Sequence, residues 1–138
     1  MIVQGQTTSF KEELYKGVHN FEADTFKIAL YTANATLNQD TTAYTEVGEI
    51  TGTGYTAGGQ TLLNPVVSSA SGVAYISFDN IAWTPASFTV RGALIYNSSK
   101  SNRSVAVLDF GSDKVTASTF TITFPANTST SAIIRSSN

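Results

Sequence analysis

From Phe26 onward, apolar residues recur at every second position in short runs with polar residues between them. The clearest run is Phe26-Lys27-Ile28-Ala29-Leu30-Tyr31, which places Phe26, Ile28 and Leu30 on one face of an extended chain. Near the other end, Phe120, Ile122 and Phe124 alternate with Thr119, Thr121 and Thr123. That is the pattern of an antiparallel strand with one buried face, so the three are assigned to the core. Read this way, the chain predicts strands over residues 25–31, 60–68, 73–79, 88–96, 104–110, 118–124 and 132–136, with Ser71-Gly72 and Gly111-Ser112-Asp113 as turns between them. Pro65 lacks a ladder donor, so pairing is expected to stop or bulge there, at a sheet edge. Strands at this spacing predict an all-β fold, an antiparallel two-sheet β-sandwich of jelly-roll or Ig-like type.

One segment departs from the alternation. Ser9-Phe10-Lys11-Glu12 has the spacing of a capping box, and Phe10, Leu14 and Val18 follow on one helical face. A short N-terminal helix is therefore expected over residues 9–17, with Gly17 ending it in the left-handed conformation that glycine adopts at least cost. Residues 34–59 turn polar and glycine-rich, Gly52-Thr53-Gly54-Tyr55-Thr56-Ala57-Gly58-Gly59 most of all, and predict one long connection with a helical turn near residues 44–47. The expected organisation is an extended segment over residues 1–8 followed by a single β domain over residues 9–138.

Composition narrows the function classes. A chain of 138 residues suits one domain, which at this size buries ~68 to 70% of the surface its unfolded chain exposes. There is no cysteine, so neither disulfides nor thiolate metal sites contribute. Eight basic and ten acidic residues give a formal charge of −2, with no basic footprint for nucleic acid. The first residues lack the basic and apolar regions of a secretory signal, and the longest apolar runs fall far short of the ~20 residues that span a bilayer. A soluble protein with no membrane partner is expected. The low charged fraction, 13%, suits close association with another surface.

Candidate chemistry is sparse. His19 is the single histidine and has no nearby cysteine, second histidine or paired aspartate, so a structural role is expected. Glu22 with Asp24, and Asp109 with Asp113, are carboxylates close enough in sequence to consider as acid–base pairs or calcium ligands, but turn and cap bonding accounts for both. Gly52-x-Gly54 has neither the lysine nor the βαβ context of a phosphate loop. The Asn-x-Ser/Thr triplets at Asn34, Asn97, Asn102 and Asn127 read as loop residues in a Ser- and Thr-rich chain. Trp83 with Tyr75, Phe78 and Tyr96 could build a sugar-stacking platform, although aromatics on alternating strands are more often core; a carbohydrate-binding module would expose Trp83, Tyr55 or Tyr44. No catalytic residues, cofactor or metal are expected, and the chain reads as non-enzymatic.

Longer strings carry a resemblance. The run from Ser9 to Leu14, then Gly17-Val18-His19-Asn20-Phe21, and Asp24 through Thr32 resemble the opening of a group of small structural proteins of tailed-bacteriophage virions. So do residues 47–59, Arg91-Gly92-Ala93-Leu94-Ile95-Tyr96-Asn97, and Ala106-Val107-Leu108-Asp109-Phe110-Gly111. Together they cover nearly the whole chain. The resemblance implies a protein made in the host cytoplasm that becomes part of the virion, as a capsid decoration or cement protein on the shell of major capsid protein. The alternative is a tail, neck or head-fibre component. It also implies self-association, a trimer being the form that suits threefold positions. Such a module needs segments that grip a neighbour. The candidates are Ile2, Val3 and Gln4 in an N-terminal arm able to add a strand to the shell, and Gly52, Gly54, Tyr55 and Gly58 in the long connection.

Overall fold

In a computed structural model, residues 1–137 are described, and the chain is mostly β with a single short helix. In chain order the elements are β1 (Gly5–Gln6), α1 (Thr8–Tyr15), β2 (Phe26–Tyr31), β3 (Gln60–Thr61), β4 (Val66–Ala70), β5 (Val73–Ser77), β6 (Ile81–Trp83), β7 (Thr89–Asn97), β8 (Arg103–Val115), β9 (Phe120–Ile122) and β10 (Ile134–Ser136). Every strand pair is antiparallel. They form a five-stranded sheet in the order β1-β8-β7-β2-β3, a three-stranded sheet β10-β5-β4 and a two-stranded sheet β6-β9.

The helix is capped two residues earlier than its sequence signature suggests. Thr7 is the cap, its Oγ1 accepting from the Phe10 N–H at 3.3 Å. Ser9 lies inside the helix instead, its Oγ 3.3 Å from Ser104 Oγ, and Glu12 pairs with Lys16 at 2.7 Å rather than reaching back to a cap. Gly17 ends the helix as expected, at φ +69°.

The strand expected over residues 60–68 is divided. Asn64, at φ +54°, and Pro65 separate β3 from β4, which belong to different sheets. Gly111-Ser112-Asp113 does not end a strand: it lies within the thirteen-residue β8, as a bulge between the pairs Gly92↔Asp109 and Val90↔Lys114. A left-handed glycine, here at φ +82°, serves a bulge as well as a turn, and β7 continues alongside to recapture the chain beyond it. The helical turn expected near residues 44–47 is absent. Ala43 instead bridges to Arg103, and the chain turns at residues 47–48. β6 was not anticipated at all.

Both faces of the five-stranded sheet are buried. Phe26, Ile28 and Leu30 of β2, with Ala93, Ile95, Val105 and others, pack against Phe10 of α1 and against Phe78, Ile81, Trp83, Phe120, Ile122 and Ile134, contributed by or adjoining the two smaller sheets. The opposite face, with Ala29, Tyr31, Leu94, Tyr96 and Val107, is covered by Ile2, Ala35 and Leu37. The alternation along β2 therefore separates two cores rather than core from solvent.

Candidate functional site

The N-terminal segment packs along the body. Ile2 is 7% exposed and pairs in parallel with Leu37, through Val3 N–H to Leu37 O at 2.8 Å and Leu37 N–H to Met1 O at 3.1 Å. Gly92 makes room for it: a Cβ there would lie 2.9 Å from Ile2 Cδ1 and 2.6 Å from Leu108 O. Burying an isoleucine side chain contributes ~1.5 to 3 kcal/mol. Gln4 Oε1 accepts from the Asp109 N–H at 3.0 Å, β1 pairs with β8, and Thr7 caps α1. Residues 1–8 are thus packed and hydrogen-bonded along the body in this structure, not held out as a free arm. Of the three candidates here, Val3 and Gln4 remain at the surface and Ile2 does not.

The glycine-rich connection is fastened down in the same way. A Cβ on Gly54 would fall 1.7 Å from Pro85 O, and one on Gly59 would fall 1.7 Å from Ile28 O. With φ at +90° and +77°, both positions favour glycine on conformational grounds as well. Here glycine lets backbone lie directly on backbone. Gly52 and Gly54 are exposed, Tyr55 is half-buried and Gly58 is buried.

The connection is held by one carboxylate. Glu49 Oε1 accepts from the Tyr44 hydroxyl at 2.6 Å, and Oε2 accepts from the Gly58 N–H at 2.8 Å and from the Tyr55 hydroxyl. Tyr55 Oη in turn accepts from the Leu30 N–H at 3.0 Å, joining the connection to β2. Two further tyrosines fasten its backbone, Tyr31 to Thr45 O and Tyr96 to Gly58 O, each at 2.6 Å. Burial and the Glu49 charge hold these phenols protonated: Tyr96 is pushed up to about 12, and Tyr31, Tyr44 and Tyr55 are raised further.

A second polar cluster joins α1 to the β7–β8 turn. His19, enclosed by Phe10 and Phe26, has both ring nitrogens engaged. Asn97 Oδ1 accepts from the Ser99 N–H, and its two amide hydrogens point to Asp24 Oδ2 at 2.9 Å and His19 Nδ1 at 3.0 Å. This bonding pattern assigns the imidazole proton to Nε2, which donates to Glu13 Oε1 at 2.8 Å. Arg103 donates to the other Glu13 oxygen at 2.6 Å, and Lys100 pairs with Asp24 at 3.1 Å. Burial pushes the Glu13 carboxyl up, but bonding to His19 and Arg103 outweighs it and the net shift is downward. Asp24 is lowered in the same way, burial opposing bonds from Asn97, Asn20 and Lys100. Asp109 is lowered first by the Gly111 N–H and then by Arg91. Of the paired acids considered from sequence, Asp24 bonds to Asn97 and Lys100, and Asp109 to Arg91 and the Gly111 N–H.

Trp83 is only 2% exposed, Phe78 is buried in the same core, and Tyr96 is buried on the opposite face of the large sheet. Trp83 packs on Tyr55 and Phe120 at ring separations of 6.5 and 5.9 Å. Tyr44 stacks on Tyr96. No sugar platform forms from this set.

Sequence reasoning missed Glu13, Asn97 and Glu49 as organising residues. Glu49 carried one usable signal, as the last charge before a long uncharged stretch, with tyrosines on either side. Apolar surface is concentrated near β4, where Leu63, Val66 and Val67 are 60%, 51% and 47% exposed. Val67 also borders a cavity of about 450 Å³ lined by Leu14, Phe21, Ala74, Ile76 and Ile134. Among the described residues, no helix is long and apolar enough to cross a membrane. Comparison with protein-family models, with curated proteins and with solved structures found no match to this chain.

Proposed function

We propose that this protein is a non-enzymatic structural component of a tailed-bacteriophage virion, a decoration protein that binds the shell of major capsid protein and stiffens it. The reading is carried by the sequence strings that resemble such proteins. Residues 24–32, 91–97 and 106–111 are the strings that supply the centre of the five-stranded sheet, so the resemblance concerns the load-carrying body. Its connections are fastened by Glu49 and by the His19 cluster, which leaves a stiff module of the kind reinforcement requires. We read the two smaller sheets as a second layer over the five-stranded one, making a β-sandwich; the shared core of Phe26, Ile28, Ile95, Trp83, Phe120 and Ile134 supports that arrangement.

Purified protein mixed with expanded capsids of the matching major capsid protein should co-sediment saturably, and imaging should reveal regularly arranged density on the shell. Absence of shell binding would overturn the decoration role and direct attention to tail, neck or fibre.

A further inference from the structure

Charge is unevenly distributed along this chain. Between Glu49 and Asp79, and again between Lys114 and Arg135, there is no charged side chain. β4, β5, β6 and β9 are consequently uncharged, and β10 carries only Arg135. Within this neutral region β4 is the terminal strand of its sheet, with Val66 and Val67 about half exposed. Natural monomers usually protect such an edge with charges, proline, bulges or a covering segment. Here the protection stops at the strand's first residue: Pro65 precedes it, and the Asn127 amide reaches the Val66 carbonyl at 3.4 Å. No other side-chain hydrogen bond to Val66–Ala70 is present among the described residues.

We infer that β4 is a self-association edge, which pairs antiparallel with β4 of a second copy about a twofold axis through Ser68. Pro65 and the Ser71-Gly72 turn limit the strand to Val66–Ala70, so its midpoint is Ser68. In this register Val66 lies opposite Ala70 of the second copy, Val67 opposite Ser69, and Ser68 opposite its own counterpart. A twofold contact brings residues near its axis against their own copies, so any charge there would meet a like charge. An edge without charges satisfies that requirement. Pairing would also cover the exposed valines and the unpaired backbone of β4. This inference is independent of the virion reading.

The test is sedimentation of the full chain from about 1 μM to about 1 mM, the span between firm and negligible association, with two variants. The wild type should convert from monomer to dimer as concentration rises. Ser68→Lys, which sets two ammonium groups opposite each other across the paired edge, should weaken the dimer at least ~10-fold while the circular dichroism of the monomer stays that of the wild type. Ser68→Cys should close an intermolecular disulfide on mild oxidation, because directly opposed strand residues lie within disulfide reach. Ser71→Cys should not. A wild-type chain that stays monomeric throughout, forms trimers or open-ended aggregates, or forms a dimer that neither variant affects would overturn the proposal.

Discussion

Replacing Glu49 tests whether one carboxylate holds residues 34–59 on the sheet. Its two oxygens accept three hydrogen bonds, from Tyr44, Tyr55 and Gly58. Bonds to an ionised acceptor contribute about 1.5 to 3 kcal/mol each. Simple addition overstates the loss, because Glu49 is half-buried and water can reach part of the vacated site. We expect Glu49→Ala to cost about 3 kcal/mol. Glu49→Gln keeps one acceptor oxygen but turns an N–H₂ toward donors, and should cost about 1 to 2 kcal/mol. Tyr55→Phe removes one of these bonds and also leaves the Leu30 N–H without its acceptor. Combined with Glu49→Ala in a double-mutant cycle, it should give a coupling of at least about 1 kcal/mol. Urea unfolding supplies the free energies, and amide exchange locates the effect. The Ile50 N–H, bonded to Leu30 O, and the Gly59 N–H, bonded to Thr56 O, should exchange faster, while Ile95 in the central sheet should follow global stability alone. A loss below about 0.5 kcal/mol for Glu49→Ala, or zero coupling, would show that glycine packing alone holds the connection and would refute the hub.

Two further outcomes are expected. Phe120 packs edge-on against Phe88 and Phe110 and lies 5.9 Å from Trp83, so Phe120→Ala should lower unfolding free energy by about 3 to 5 kcal/mol; a loss under about 1 kcal/mol would mean the site collapses around the deletion or is not core. Glu13, Asp24 and Asp109 all titrate below their usual range in the folded protein, so their contribution is complete above the unfolded values near 4 and is lost as pH falls through the lower folded values. Melting temperature should fall steadily below about pH 4, and Glu13→Gln should flatten that slope; an unchanged slope would remove Glu13 from the acid response.

Much of the secondary structure is determined locally. The period-two runs placed β2, β5, β7 and β9 to within a few residues, because alternation encodes a strand wherever it finally pairs. The Gly17 stop is equally local, and so is the break at Pro65, since each depends on one residue's backbone freedom. Gly111 marks the limit of that logic: its left-handed conformation could be expected, but whether the chain then turns or bulges depends on the strand beside it. β6, only three residues long, forms because β9 is there to receive it.

Long-range contacts decided the rest. Nothing within residues 1–8 says that Gly92 will leave space for Ile2, or that Leu37 will offer its backbone to Met1 and Val3. Glu49 meets Tyr44, Tyr55 and Gly58 only once the connection has folded back over β2. His19 and Asn97 are 78 positions apart, yet they share a hydrogen bond that fixes both side chains. Sequence therefore determined which segments could be strands, where the backbone must turn left-handed and which stretches carry no charge. Tertiary structure alone decided that the second face of the five-stranded sheet is buried as well and which polar groups found partners, because burial and hydrogen-bond satisfaction depend on neighbours that the chain acquires only by folding.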